Sequence, residues 1–343
     1  MPLKIAVLCG GTSEEREVSL ASAAMIVPAL RQSGHTVEVL DIHYDLLPQT
    51  SDGVQHLPIN AGSTVDNGGR MPAAIVPKQL NELGHVRAFD LVFLALHGGT
   101  GEDGTVQAAL DLMNIPYTGS GHLASAVCMD KDISKRLLRA AGIVTPDWTL
   151  LEPDASVRPD DFHYPVVVKP NRLGSTVGLS VVREAAALKT AVEFAFRFDT
   201  EVLVEQFIAG RELTVGVLAD RSLAVGEILI DAESAFNYDD KYTPGAVKEI
   251  FPADLPFALE QSVKQVALAA HRLLKLRDYS RADFRLDKDG KLWLLELNSL
   301  PGMTATSLLP QSARAMGIEF AQLCDLICQL AVTRHSRVRP EHR

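Results

Sequence analysis

Apolar residues along this chain fall into short runs and into stretches with helical spacing, and the alternation of the two lays out a fold. Leu3 to Leu8 is a short apolar run ending at Gly10-Gly11, which predicts a buried parallel strand entering a loop. Val18 to Ser33 has helical spacing, Gly34 stops it, and Thr36 to Leu40 predicts a second strand, together a βαβ unit. Residues 50–70, rich in Ser, Gly, Asp and Asn, read as loop. Asp90 to Leu96 predicts another buried strand, ending at His97-Gly98-Gly99; Thr105 to Met113 is helical, and Ile115-Pro116-Tyr117 starts a short strand. Up to about Gly119 the expectation is an open parallel α/β layer, with ligand-binding loops at the carboxyl ends of its strands.

Beyond Gly121 the pattern changes to α+β with antiparallel character. A helix is expected over Asp130 to Ala141, capped by Gly142, and another over Ala185 to Phe196. Strands are expected at Pro165 to Lys169, Leu179 to Val182, Val202 to Gln206, Leu213 to Leu218 and Ala224 to Ile230. A long irregular loop, Asp231 to Pro252, precedes a helix over Gln261 to Leu274. A hairpin closes the series, with arms Arg281 to Leu286 and Leu292 to Asn298 around Lys288-Asp289-Gly290. Residues 334–343, with four arginines and a proline, read as a frayed basic tail.

Composition narrows the function. The 343 residues suit two or three domains, and 47% hydrophobic with 22% charged residues is the balance of a soluble globular protein. A net charge of −10 argues against a general nucleic-acid binder, although a few local cations can still hold phosphates. Cys9, Cys128, Cys324 and Cys328 form no Cys-x-x-Cys pair, so neither a zinc site nor a disulfide framework is supported; Cys324 and Cys328 read as buried helix surface. No signal peptide is read at the start and no apolar run approaches the ~20 residues of a membrane span, so an intracellular protein is expected.

Two glycine loops invite a ligand. Gly99-Thr100-Gly101-Glu102-Asp103-Gly104 matches G-x-G-x-x-G, but no acid closes the following strand, and Glu102 and Asp103 would face a pyrophosphate. A loop that binds or packs against a substrate fits better than a dinucleotide site. The loop Lys169-Pro170-Asn171-Arg172-Leu173-Gly174-Ser175-Thr176-Val177-Gly178 lies between strands. It reads either as a plain hairpin turn or as a lid over a triphosphate, with Lys169 as a fixed cation.

The hairpin carries the strongest signal. Strand alternation puts Arg281 and Asp283 on one face of their arm and Glu296 and Asn298 on one face of the other. Leu292 and Leu294 are expected on that same face, with Trp293, Leu295 and Leu297 opposite. Asp283, Glu296 and Asn298 offer three hard oxygen ligands, the kind Mg²⁺ uses when nucleotide phosphates complete its shell. The plain alternative is a salt bridge from Arg281 to Glu296 or Asp283. Glu205 is a candidate acceptor for an adenine amino group and Glu212 for ribose hydroxyls; either alone also reads as an exposed acid.

The ordered set of motifs closely resembles the D-alanine–D-alanine ligases of the ATP-grasp superfamily, from about residue 4 to residue 330. It runs Gly10-Gly11-Thr12-Ser13-Glu14-Glu15-Arg16-Glu17-Val18-Ser19; His97-Gly98 with Gly101-Glu102-Asp103-Gly104; Tyr117-Thr118-Gly119-Ser120-Gly121; and Met129-Asp130-Lys131. It continues through Lys169-Pro170, Gly174-Ser175-Thr176-Val177-Gly178, Asp239-Asp240-Lys241-Tyr242, Glu296-Leu297-Asn298 and Pro301-Gly302-Met303-Thr304.

The resemblance implies an N-terminal α/β substrate-binding domain (1–119) followed by a two-part ATP-grasp module, central (120–206) and catalytic (207–333), and a flexible tail (334–343). It implies that ATP and two Mg²⁺ ions, for which Mn²⁺ can substitute, drive ligation of two D-alanines through a D-alanyl phosphate for peptidoglycan synthesis and cell shape, in a cytoplasmic homodimer. Lys131 and Lys169 would contact ATP phosphates. Glu205, Gln206, Ile208 and Glu212 would line adenine and ribose, and Asp283, Glu296 and Asn298 would hold the metal. Glu15 would pair with the first ammonium, with Ser175 and Tyr242 orienting that substrate and His97 nearby. Arg281 and the Gly302 N–H would stabilise the oxyanion, and Lys241 and Ser307 would bind the second carboxylate. Tyr242, where relatives that use hydroxy-acid acceptors have phenylalanine, implies the dipeptide over D-alanyl-D-lactate. Many relatives have lysine at Gln206, and threonine at Ser299.

A sister specificity, such as D-alanyl-D-serine or another amino-acid pair, is the near alternative, since one small group shifts discrimination by only ~1–3 kcal/mol. A non-catalytic nucleotide sensor has no need of the Arg281, Asp283, Glu296 and Asn298 set. An NAD oxidoreductase lacks its ribose acid.

Overall fold

The computed structural model describes residues 2–42, 83–155, 157–174, 176–230 and 247–338. Expectations for residues 50–70, Ser175, Lys241, Tyr242 and most of the loop from 231 onward therefore lie outside the described residues.

Three sheets form, each with its own core. In the first, strand β1 (Lys4–Cys9) is flanked by β2 (Thr36–Asp41) after helix α1 (Arg16–Gln32), and by β3 (Leu91–Leu94), all parallel in the order β2-β1-β3. Ile5, Ala6, Val7 and Leu8 are almost wholly buried, as a central parallel strand covered on both faces demands. One-turn helix α2 (Gly99–Glu102) and helix α3 (Thr105–Met113) follow β3, and Tyr117 bridges back to Val92.

Helices α4 (His122–Met129) and α5 (Lys131–Ala140) lead to a four-stranded sheet. It contains β4 (Trp148–Leu151), β5 (Val166–Pro170), β6 (Ser180–Val182) and, after α6 (Ala185–Ala195), β7 (Val202–Gln206), in the order β4-β7-β5-β6 with antiparallel pairings. Leu188, Ala191, Val192 and Ala195 of α6 bury against Val166, Val168 and Val204.

The third sheet has five strands: β8 (Arg211–Leu218), β9 (Arg221–Ile230), β10 (Val247–Ile250) and, beyond α7 (Phe257–Leu273), β11 (Tyr279–Leu286) and β12 (Leu292–Asn298). Their order is β10-β9-β8-β11-β12, antiparallel throughout. Val263, Ala267 and Ala270 of α7 close its core. Helices α8 (Leu308–Arg314) and α9 (Phe320–Val338) end the described chain. Leu323, Cys324, Ile327, Cys328 and Ala331 of α9 pack into the first core beside β3 and α1, so Cys324 and Cys328 are buried helix surface as the spacing predicts.

Four expectations are corrected. The segment expected as irregular loop up to Pro252 contains β10, an edge strand whose backbone pairs with β9 while Lys248 and Glu249 keep its sequence polar. Helices α4 and α8 and strand β4 add to the expected elements, and the expected glycine loop opens with the helical turn α2. A β-bulge between Asp283 and Phe284 pairs Asp283 with Glu296 but Phe284 with Leu294; Leu295 is the extra residue, so Leu294 and Leu297 share the buried core instead of opposite faces. Finally, the frayed tail expected from residue 334 starts inside a helix: Arg334 lies on α9, ion-paired to buried Asp278 and donating to the Tyr117 carbonyl at 2.6 Å.

Candidate active site

The site is built on the β11–β12 hairpin. The bulge leaves Arg281, Asp283, Glu296 and Asn298 together on the face away from the core, with Arg281 paired to Asn298 and Asp283 to Glu296 across the strands. Arg281 donates to Asp283 from Nε (2.9 Å to Oδ1) and Nη2 (2.8 Å to Oδ2), Asn298 Nδ2 donates to Asp283 Oδ2 at 3.0 Å, and Thr214 Oγ1 donates to Oδ1 at 2.7 Å. The salt bridge that was the plain alternative thus forms, to Asp283 and not Glu296. Buried as it is, the Arg281 guanidinium is held above its usual range by the Asp283 and Glu296 charges.

Helix α5 brings the first cation. Asp130 caps it, its Oδ1 accepting from the Ile133 N–H at 3.0 Å, and Asn171 fastens the helix start by accepting from the Asp132 N–H at 2.9 Å. Lys131 is thereby aimed inward: its Nζ donates to the Leu173 carbonyl at 2.6 Å and lies 3.8 Å from Glu296. Burial lowers its pKa, with Glu296 opposing. Lys169, at the end of β5, donates to Glu205 Oε1 at 2.9 Å; burial works against its charge, but Glu205 and Glu296 outweigh it and raise its pKa.

Glu205 is no exposed acid. It is 3% exposed and lies between Lys169 and Lys135, whose Nζ is 2.7 Å from Oε2. Gln206 is exposed and Ile208 buried just beyond it. Glu212 pairs with Arg285 at 2.8 Å, a partner directly across β8 and β11.

Loops from the first sheet approach the hairpin, the Arg281 charge acting on both His97 and Glu102; a cleft at the carboxyl ends of β1 and β3, lined by Gly10, Gly11, Ser13, His97 and Gly98, opens toward Ala109 and Leu112 of α3. Glu15, at the start of α1, sits against two glycines. A Cβ at Gly98 would lie 2.7 Å from its carboxylate and one at Gly174 3.2 Å, so both expected ligand loops close on this acid because neither has a side chain there. His97 is buried, with Nε2 3.0 Å from Ser22 Oγ; burial drives its pKa down to about 4. Glu102 is pushed up to about 7, by burial first and by the Glu15 charge second. The Leu300 backbone hydrogen bonds both His97 and Glu102, which ties the Gly98 loop to the loop carrying Gly302. Ser307 borders Gly302 and accepts from the Thr304 N–H at 3.0 Å.

The described site residues are thus linked one to the next: the Arg281 charge reaches His97 and Glu102, Arg281 pairs with Asp283, Asp283 lies across from Glu296, Glu296 faces Lys131, and Lys169 holds Glu205. Among the described residues no cluster of three His, Cys, Asp or Glu side chains is placed to hold a metal. The expected set is two carboxylates and an amide, and the cross-strand approach of Asp283, Glu296 and Asn298 fits a hard cation with few protein ligands. Lys135 and Arg285 went unread in the sequence, and Glu102 was read only as part of its glycine loop. The Lys131-x-x-x-Lys135 spacing, one turn of a helix, was the available signal for Lys135; nothing local marked Arg285.

Comparison with known proteins gives the family. Residues 4–120 match the model of the D-ala D-ala ligase N-terminus and residues 137–329 that of the C-terminus. The chain is 44% identical over 340 residues to a D-alanine–D-alanine ligase of Nitratidesulfovibrio vulgaris (strain DP4), covering 98% of this chain and 100% of the relative. It is 40% identical over 341 residues to that of Geobacter sulfurreducens, covering 98% and 96%. The crystal structure of the D-alanine–D-alanine ligase from Bacillus anthracis complexed with ATP superposes with a TM-score of 0.79 at 30% identity, covering 98% of this chain and 100% of that one. With both family halves matched in order around a single site, the chain belongs to the D-alanine–D-alanine ligase family.

Proposed function

We propose that this chain uses ATP to join two D-alanine molecules through a D-alanyl phosphate, releasing ADP and phosphate and supplying a peptidoglycan precursor. The observation that carries the reading is the convergence, on one hairpin face, of an arginine, two carboxylates and an amide, within reach of the two lysines.

The roles proposed are those that the family resemblance implies. Lys131 and Lys169 contact the ATP phosphates, and Glu205, Gln206, Ile208 and Glu212 border adenine and ribose. Asp283, Glu296 and Asn298 would hold Mg²⁺, which when bound neutralises phosphate charge. Glu15 pairs with the first substrate's ammonium, beside neutral His97, and Ser175 and Tyr242 are proposed to orient that substrate. The carboxylate of that D-alanine attacks the γ-phosphorus, and the bond to the β-phosphate oxygen breaks; the protein contributes position and charge. The second D-alanine, its carboxylate assigned to Lys241 and Ser307, then attacks the acyl carbon through its free amine, which loses a proton as the C–N bond forms and the acyl C–O bond to phosphate breaks. Arg281 and the Gly302 N–H meet the developing oxyanion, a donor pair of the kind whose loss costs about 3 kcal/mol each. Phosphate leaves.

On this reading residues 1–119 bind substrate, 120–206 and 207–333 enclose ATP, and the protein works as a cytoplasmic homodimer. Light scattering and cell fractionation test the last two points. Among the described residues no helix is long and apolar enough to cross a membrane.

The direct test is phosphate release from ATP and Mg²⁺ with D-alanine, L-alanine, D-serine, or D-alanine plus D-lactate, products identified by mass. D-alanine-dependent release with D-alanyl-D-alanine as product is expected. Release only with another pair would move the chain to a sister specificity, and no release despite ATP binding would sink the catalytic reading.

A further inference from the structure

Between α5, β5 and β7 lies a buried triad with more positive than negative charge: one carboxylate, Glu205, and two ammonium groups, Lys135 and Lys169. One lysine would balance the acid. The two differ in where they stand. Lys169 side-chain exposure is 10%, on the side open to the site; that of Lys135 is 1%. Behind Glu205, Lys135 is fully occupied, with Nζ 2.7 Å from Glu205 Oε2, 2.6 Å from Thr145 Oγ1 and 5.0 Å from the centre of the Trp148 ring. From there it cannot turn to a phosphate.

We propose that Lys135 is a positioning residue for nucleotide recognition: from the buried side it holds the Glu205 carboxylate ionised and oriented as a hydrogen-bond acceptor, so that the site selects a six-amino purine over a six-oxo purine. The proposal rests on the reading that Glu205 receives the adenine amino group.

The chemistry is a matter of donors and acceptors. An ionised carboxylate only accepts, which suits the exocyclic amino group of adenine and repels the six-oxo group of hypoxanthine. A protonated one can donate, and the distinction is lost. Burial alone pushes Glu205 toward the protonated form; Lys169 and Lys135 reverse this and hold its pKa below the usual range. When Lys169 turns to the phosphates, Lys135 is the counter-ion that stays. Burial above all, with the charges of Lys169 from β5 and Arg139 from its own helix adding to it, brings Lys135 down to about 8 against the raising pull of Glu205, so it keeps its charge at neutral pH.

The test compares Lys135→Met, Lys135→Arg and Glu205→Gln in the full chain, measuring kcat and KM for ATP and for ITP, which differ at the six-position of the base. Lys135→Met is expected to raise the KM for ATP about 10- to 100-fold with little change in kcat. The KM for ITP should hardly move, so the preference for ATP collapses, and Lys135→Arg should restore most of it. A parallel rise for both nucleotides overturns the proposal, because a loosened fold or a lost phosphate contact penalises them alike. If Glu205→Gln leaves the KM for ATP unchanged, the adenine reading itself fails. If Glu205→Gln raises it and Lys135→Met does not, only the role of Lys135 fails. Should Lys135→Met prove insoluble, Thr145→Val removes one anchor of the same ammonium; a smaller loss of ATP preference supports the proposal, and an unchanged preference overturns it.

Discussion

Arg281 shows how much one side chain is asked to do. In this structure it neutralises Asp283; in the proposed reaction it also faces the oxyanion. Arg281→Ala should therefore cut dipeptide formation by about 10²- to 10³-fold while ATP binding, followed by nucleotide fluorescence without turnover, stays largely intact. Equal loss of both would end the oxyanion role. The residues of this hairpin were legible because strand alternation is a strong local rule: Arg281 with Asp283, and Glu296 with Asn298, needed only a period of two. The neighbours that did not follow the rule, Leu294 and Leu297, lie across a bulge that no residue in the arm announces. Glu205 was half legible. Its strand end was plain, but the two lysines that bury it come from α5 and β5, and such distant pairing leaves little trace in the order of residues.

At the scale of elements, the expected helices and strands were read to within a few residues, and the missed strands share a cause. The strands β4 and β10 have four residues each, and β10 is an edge carrying Lys248 and Glu249, so tertiary pairing decided what pattern could not. The end of α9 was misread because arginines in sequence look like solvent-facing charge. Arg334 reaches back to Asp278, which also accepts from the Gly119 N–H at 2.9 Å, while Arg277 Nε donates to the Gly119 carbonyl at 3.0 Å. Arg334→Ala strands a buried carboxylate and should lower stability by roughly 3 kcal/mol in urea unfolding. A variant as stable as the parent would show that the clamp contributes nothing.

For the molecule as a whole, pH is a readable variable. His97 and His271 are both buried, and burial holds each at about 4, below the ordinary 6.5. The unfolded chain takes up these protons first, so their contribution to stability is complete above about pH 6.5 and is lost as pH falls toward 4. Glu102, raised to about 7, works the other way and costs stability as pH rises from about 4.5 to 7. The difference between parent and variant isolates one group. His271→Asn, on the core side of the sheet beside Ser280, should flatten the fall in Tm between pH 6.5 and 4 by the equivalent of up to ~3 kcal/mol. Parallel curves for the two proteins would contradict a neutral buried imidazole.

The return of α9 to the first sheet has a further consequence, for synthesis. Almost the whole described chain is polymerised between β1 and the helix that completes its core. A nascent chain stopped short of Phe320 carries every residue proposed for binding and chemistry, yet leaves the apolar side chains of β3 and α1 without Leu323, Ile327 and Ala331 to cover them. Such a product is expected to be caught by chaperones or proteases before it can act, so a premature stop in the final stretch of the message is as damaging as one in the middle.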